Sequence, residues 1–275
     1  LIPCVAFGFE VRSKPDIHDI ANFETAILDW RMALAAAKAI LDLLFPPLCI
    51  GCRAPVSETG FCAGCWSALT FLDGPACACC GLPFPVALDG ENLCAACLAR
   101  PPAFDRARAI LAYNEKSRGA ILALKHADRL DLVPDFSRWL ARIGQSLISQ
   151  SDVVVPVPLH RSRLWLRHYN QSAELARRLA HDWKLAFDPF ALLRSRPTPS
   201  QGAMTSAKAR RRNVLGAFKV ADAERVRGMR VLLLDDVLTT GATAEACARA
   251  LKKAGAESVH VLALARVVKA SDVLI

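Results

Sequence analysis

Eight of the eleven cysteines fall into four C-x-x-C pairs: Cys49/Cys52, Cys62/Cys65, Cys77/Cys80 and Cys94/Cys97. A two-residue gap lets both thiolates of a pair point at one ion, so the spacing favours metal over disulfides. Nine residues separate the first two pairs and thirteen the last two. Each couplet supplies four thiolates, the ligand set of a closed structural zinc site, and two structural Zn2+ ions are expected. Such a set leaves no open coordination position, which argues against catalytic zinc. Pairing first with second and third with fourth is the default; a cross-braced arrangement is the alternative. Gly51, Gly64 and Gly81 permit the tight turns that aim amides at sulfur. Cys79 is a spare beside Cys80, and Cys4 and Cys247 read as ordinary thiols.

A second constellation lies near the other end. Val231–Leu234 is an apolar run that meets two adjacent carboxylates, Asp235 and Asp236. Val237, Leu238, Thr239, Thr240, Gly241, Ala242 and Thr243 follow, and a helical pattern begins. In a parallel sheet, ligands bind beyond the carboxyl ends of strands. A hydroxyl-rich turn at a helix N-terminus offers a phosphate free N–H groups and a positive dipole end. Thr239, Thr240 and Thr243 add donors, and Gly241 lets a phosphate approach the backbone. The carboxylates can accept from ribose hydroxyls or help hold a hydrated Mg2+. Each piece alone reads as an ordinary strand–loop–helix; the combination points to a ligand.

The elements that must position these groups follow from the pattern. Residues 33–45 read as a helix ended by Pro46-Pro47. Residues 49–97 form a loop-rich module that needs metal in place of a core. Ala107–Tyr113 suits a strand, Lys116–Lys125 and Asp135–Leu147 suit helices, and Asp152–Pro158 is a β-branched strand ended by prolines. Asn170–Asp182 is helical, 195–213 a long basic loop, Ala242–Ala254 a helix and Ser258–Val268 a strand. Alternating strands and helices argue for an α/β fold, a parallel sheet covered on both faces.

The chain has 275 residues, is 53% hydrophobic and 7% aromatic, and carries a net charge of +9. It can bury a sizeable core, and it is not composed like a disordered chain. The charge favours anionic partners without choosing among metabolites, nucleic acid and acidic proteins. Metal-bound thiols imply a reducing compartment, hence a cytoplasmic location. The best apolar run, Ala33–Phe45, contains Lys38 and Asp42 and is too short to span a bilayer.

The run Val231–Thr243 resembles the phosphoribosyl pyrophosphate motif of type I phosphoribosyltransferases. Val155–His160 (VPVPLH) with Arg161, Arg163, Arg167 and Asn170-Gln171-Ser172 narrows the resemblance to the ComF family. Thr198–Phe218 resembles that family's mobile loop, and Ala123–Lys125 and the cysteine pairs also match. The resemblance implies a type I phosphoribosyltransferase fold behind a double zinc ribbon. It further implies that Asp235 and Asp236 are the catalytic-type carboxylates contacting the ribose. Thr239–Thr243 would wrap the 5′-phosphate of phosphoribosyl pyrophosphate, bound with Mg2+. Pro158, Leu159, His160, Arg161, Arg163, Arg167, Asn170 and Gln171 would form the pyrophosphate loop. Ser200, Gln201, Arg210, Arg211 and Arg212 would lie on the mobile loop. The weaker alternative for Arg161–Arg167 is a solvated helix face, whereas Arg210–Arg212 reads equally well as a surface basic patch. Two departures stand out. His168 replaces the family's glycine two residues before Asn170, which suggests a different turn. His126, Ala127 and Asp128 replace an aromatic and a glycine after Lys125, so Lys125 receives no role.

The implied boundaries are an extension or fragment edge over 1–31, a packing helix over 32–47, the double zinc ribbon over 48–100 and the transferase domain over 104–270. The implied reaction displaces pyrophosphate from C1 of the ribose in favour of an unnamed acceptor. The family's link to DNA uptake in natural competence gives the alternative: a non-catalytic protein handling single-stranded DNA, with competence proteins as partners. Trp165 and Tyr169 are the aromatics among basic residues there, and packing roles suit them equally well.

Overall fold

The computed structural model describes residues 45–58, 60–87, 89–126, 129–198 and 206–268, with Trp30, Met32, Ala33, Ala36 and Ala37 before them. Those five positions have helical backbone; the rest of the expected 33–45 helix up to residue 44, and residues 1–29 and 31, lie outside the described residues. The chain divides into two compact units, Leu1–Pro47 and Leu48–Ile275.

The second unit is centred on a parallel sheet of five strands: β1 (Arg106–Ala112), β2 (Val153–Pro156), β3 (Ala186–Phe187), β6 (Arg230–Leu238) and β7 (Ser258–Arg266). Their order across the sheet is β1-β7-β6-β2-β3. β2 and β6 are β-branched and leucine-rich runs buried on both sides, as a sheet covered on both faces requires. Strand alternation sends Val153, Val155, Val231 and Leu233 to one face and Val154, Leu232 and Leu234 to the other. On the second face pack α3 (Glu115–His126), α4 (Val133–Ile148) and α6 (Gln171–Trp183). On the first lie α8 (Ala242–Lys253) and a two-stranded hairpin, β4 (Leu192–Arg194) with β5 (Phe218–Val220). Between β4 and β5, α7 (Ala207–Val214) replaces the second half of the expected loop, because Ser206 caps it by accepting from Ala209 N at 3.1 Å. A short helix, α5 (Arg161–Arg167), follows β2.

The cysteine module straddles the sheet's edge at β1. Leu72 N donates to Ile110 O and Ala112 N to Thr70 O, both at 2.8 Å. This pairing occupies the edge that a parallel sheet would otherwise expose. Leu69 and Ile50 from the first half join the core on one face, and Leu82 with the second set of cysteines joins the other. Two five-residue helices, α1 (Ala63–Ser67) and α2 (Ala95–Ala99), each carry one ligand cysteine. Among the described residues no helix is long and apolar enough to cross a membrane.

Candidate functional site

The cysteines gather as two tetrads, Cys49/Cys52/Cys62/Cys65 and Cys77/Cys80/Cys94/Cys97, with the sulfurs of each set within 4.8 Å of one another. This is the sequential pairing, not the cross-braced one. Tetrahedral zinc with bonds of about 2.3 Å places its sulfurs about 3.8 Å apart. Cys52 Sγ and Cys62 Sγ are 3.7 Å apart, as are Cys80 Sγ and Cys94 Sγ. Backbone amides already aim at the sulfurs: Cys62 N donates to Cys49 Sγ at 3.2 Å, and Cys94 N to Cys77 Sγ at 3.3 Å. The residues therefore fit two structural zinc ions. Cys79 stays outside the second tetrad.

The other centre lies where the strand order reverses, between β2 and β6, at their carboxyl ends. β2 stops pairing at Pro156↔Leu234, while β6 continues against β7 to Leu238↔Arg266. Asp235 and Asp236 thus sit inside a strand, past the point where β2 has left, rather than at its end as their polarity suggests. On one flank β2 no longer pairs with the strand there, and β7 fixes the backbone on the other.

The two carboxylates have opposite surroundings. Asp235 is buried, and burial together with the charge of Asp236 pushes its carboxyl up to about 7. Its Oδ1 accepts from Asp236 N at 2.8 Å. Burial also opposes ionisation of Asp236, but Lys125 and hydrogen bonds from Gln171 and the backbone together outweigh it and hold that carboxyl below its ordinary value. Lys125 Nζ lies 2.8 Å from Asp236 Oδ2, and Gln171 Nε2 donates to the same oxygen at 2.7 Å. Lys125 is the residue that sequence reasoning left without a role. It reaches the carboxylate from the last turn of α3, which Tyr169 fixes by donating its hydroxyl to Leu124 O.

Gln171 is placed by its neighbours. Asn170 caps α6 by accepting from Ser172 N at 3.1 Å and donates from Nδ2 to Val157 O at 3.0 Å. His168 has φ +62, the left-handed conformation a glycine would take. Histidine tolerates this region better than most side chains. Pro158 is buried, Leu159 and His160 half-buried, and His160 Nδ1 accepts from Ser162 N at 3.3 Å to cap α5. Arg161 is exposed; Arg163 turns inward and donates to Thr198 O at 2.7 Å. Arg167 is half-buried on the last turn of α5.

After Leu238 the chain turns through Thr239, Thr240 and Gly241 into α8. Gly241 has φ +72 and provides the N-cap without a side-chain bond, so the first amides of α8 receive no cap from it. Val237, Thr239 and Thr243 are half-buried, Leu238 and Ala242 buried, and Thr240 Oγ1 is shielded without a hydrogen-bond partner. Ser200 and Gln201 lie outside the described residues. Arg210, Arg211 and Arg212 stand on α7; Arg211 lines a groove of about 300 Å³ with Arg100, Arg249 and the outer face of α8. Among the described residues no ion pair joins them to Asp235 or Asp236.

The pattern missed a further residue. Arg194 on β4 lies over the Phe218 ring, 5.3 Å from its centroid, and donates to Thr198 Oγ1. Nothing in its sequence surroundings separates it from Arg196 or Arg210.

Comparison with known proteins finds a family match for each part of the chain. The model of the double zinc ribbon domain matches residues 40–98, and that of the phosphoribosyl transferase domain matches residues 129–272. β1 and α3, the source of Lys125, fall between the two matches. The DNA utilization protein YhgH of Escherichia coli (strain K12) is 34% identical over 232 residues, spanning 82% of this chain and 99% of that protein. Competence protein F of Haemophilus influenzae is 30% identical over 230 residues, spanning 79% and 96%. Among solved structures, the allosteric regulatory enzyme of purine biosynthesis overlaps 52% of this chain and 30% of its own, at 21% identity and a TM-score of 0.36, too slight an overlap to weigh. The architecture and the relatives agree: the chain belongs to the ComF-type family, in which a double zinc ribbon precedes a phosphoribosyltransferase domain.

Proposed function

We propose that the crevice at the carboxyl ends of β2 and β6 binds phosphoribosyl pyrophosphate with Mg2+ and transfers its phosphoribosyl group to an acceptor. One observation carries this reading. An acidic pair within the paired part of β6, Asp235 and Asp236, is followed two residues later by a left-handed glycine turn whose Thr240 hydroxyl is shielded and unpartnered. The ribose and 5′-phosphate demand that juxtaposition. Asp236, kept ionised by Lys125, accepts from a ribose hydroxyl. The amides and hydroxyls of Thr239–Thr243 take the phosphate. Arg163 faces the pyrophosphate from the other flank. Asp235 and Asp236 would help hold a hydrated Mg2+, which would supply positive charge to offset that of the pyrophosphate. The acceptor forms a bond to C1 as the C1–O bond breaks and its electron pair leaves with the pyrophosphate. The protein supplies position and charge. Metal-binding thiols suit a reducing compartment, so this reading places the protein in the cytoplasm.

Calorimetry with phosphoribosyl pyrophosphate and Mg2+ tests it. Binding should be measurable, and Asp235→Asn with Asp236→Asn should abolish it; unchanged binding would sink the reading. The pH dependence has a definite sign. Asp235 retains its proton in the fold up to about pH 7. Its contribution to stability is full below the ordinary carboxylate range and is lost as pH rises through about 7. Donor binding, which uses the carboxylate, should strengthen over the same window.

A second reading has its own observation. On α5, Trp165 is 85% exposed among Arg161, Arg163 and Arg167. An exposed ring among cations suits base stacking along single-stranded DNA, and relatives carry the names DNA utilization protein and competence protein. On this reading the scaffold handles DNA without catalysis. Affinity for an oligonucleotide should then fall steeply with salt and drop on Trp165→Ala. Salt-insensitive or absent binding would remove it.

A further inference from the structure

The two faces of α8 have different fates. Ala244, Cys247, Ala248 and Leu251 are buried in the core against the sheet. The other side carries Ala242, Ala246 and Ala250, spaced i, i+4 and i+8. Such a row of small side chains leaves a depression along the helix, into which the ridge of another helix can pack. Val214 of α7 walls it, and Leu215 stands beside it with 70% of its surface exposed. These residues line the groove of about 300 Å³. Its rim is cationic and drawn from three elements: Arg100 caps α2, Arg211 lies on α7, and Arg249 and Lys253 lie on α8. Glu245 is the acidic residue among the described lining residues, and it already holds two of these cations, Arg100 at 3.7 Å and Arg249. Among the described residues Arg211 and Lys253 have no ion pair.

An apolar floor inside a cationic rim selects its occupant. A second copy of this chain would bring cation against cation. Single-stranded nucleic acid needs rings on which to stack, and Phe218, the ring among the described lining residues, is 7% exposed. Leu215 would then face phosphate. A helix with one aliphatic face and acidic flanks answers both parts. Its ridge fills the alanine row, and its carboxylates reach Arg211 and Lys253. We infer that the groove along α8 docks an acidic amphipathic helix of a partner protein. α8 has 12 residues, so the contact runs for about 18 Å, or roughly three turns of the partner helix. The inference stands apart from the donor-site reading and does not rest on it.

The test uses the full chain in its own cells. Leu215→p-benzoylphenylalanine is photo-activated, and the adduct is mapped by mass spectrometry. A protein adduct should form through a segment of about a dozen residues with net negative charge and apolar side chains at helical spacing. Arg211→Glu with Lys253→Glu should cut its yield by about tenfold or more, with Tm and both zincs unchanged. If that double reversal lowers the Tm, Arg211→Gln with Lys253→Gln repeats the measurement with a milder change. A synthetic peptide of the mapped segment should bind the purified full chain in fluorescence anisotropy. Leu215→Glu should weaken that binding by about tenfold. A scrambled peptide of the same charge should also bind about tenfold more weakly, because the aliphatic ridge fills the row and charge alone does not. No adduct would overturn the proposal, as would an adduct to nucleic acid, to a second copy, or to a segment that is basic or lacks an apolar face. Equal binding of the scrambled peptide would reduce the groove to a plain basic surface and overturn it as well.

Discussion

The two cysteine tetrads repeat one backbone plan in different surroundings. In the first, Cys49 N donates to Ala54 O at 2.8 Å and Arg53 N to Cys49 O at 3.0 Å. In the second, Cys77 N donates to Leu82 O at 2.8 Å and Gly81 N to Cys77 O at 2.9 Å. The residue after the second cysteine is left-handed in both, with φ +64 at Arg53 and +71 at Gly81. The knuckle therefore demands the conformation, not the glycine. What demands glycine is the neighbour: a Cβ on Gly81 would lie 2.4 Å from Ala107 O of β1. Nothing comparable forces Arg53.

Attachment differs as well. The first tetrad has an exposed member, Cys52, and its module is held by an aromatic cluster around Trp139 of α4, with Phe61, Trp66 and Phe71 at 5.1–6.0 Å. All four cysteines of the second are buried in the same core as Val231 and Leu233. It is also bonded to the sheet, with Ala107 N donating to Cys79 O at 2.6 Å and Arg266 donating to Cys80 O at 2.5 Å. The first module is packed onto the fold, whereas the second is part of it.

The largest expected effect separates these roles. Cys77→Ser should lose one zinc and the cooperative melt of the whole unit, since a structural zinc contributes folding free energy directly. Cys52→Ser should also lose one zinc yet leave a folded sheet with native far-ultraviolet circular dichroism. Equal damage from both would break the distinction. Next, Gly81→Ala combines a left-handed φ with a backbone clash and should cost about 3 kcal/mol or more. Arg53→Ala changes neither and should stay within about 0.5 kcal/mol. Denaturant titration of the two variants gives both numbers. Third, Arg266 places its charge 3.6 Å from Cys80 Sγ and offsets a four-thiolate site that zinc leaves doubly negative. Arg266→Met should weaken the second zinc by about tenfold, in the range seen when outer partners of a metal ligand are removed. The first zinc should hold unchanged in chelator competition.

Much of the molecule is legible in pattern and spacing. Metal spacing makes the tetrads visible, and β-branched runs place β2 and the first half of β6. The motif Val231–Thr243 carries the site because its parts are contiguous. Lys125 cannot be found this way: it lies far from Asp236 in sequence, and a lysine on a helix reads as a solvated charge until the fold brings it to a carboxylate. Arg194 hides for the same reason among other arginines. β4 and β5 have three residues each, too few for a period-two signal. Asp235 and Asp236 look like the end of a strand, because nothing local shows that β7 continues alongside.

The smallest expected effect bears most directly on how the two ribbons differ. If the knuckle needs only the conformation, Arg53→Gly should stabilise the protein by about 1 kcal/mol, by relieving a left-handed non-glycine residue. His168 offers an independent case at φ +62, away from any zinc. It occupies the C-cap of α5 and has no side-chain hydrogen bond among the described residues, so His168→Gly should give a similar gain. The two gains should add, because the sites share no partner. A loss at Arg53 with a gain at His168 would mean that the arginine side chain itself serves the first tetrad, and the two ribbons would then differ in chemistry as well as in attachment.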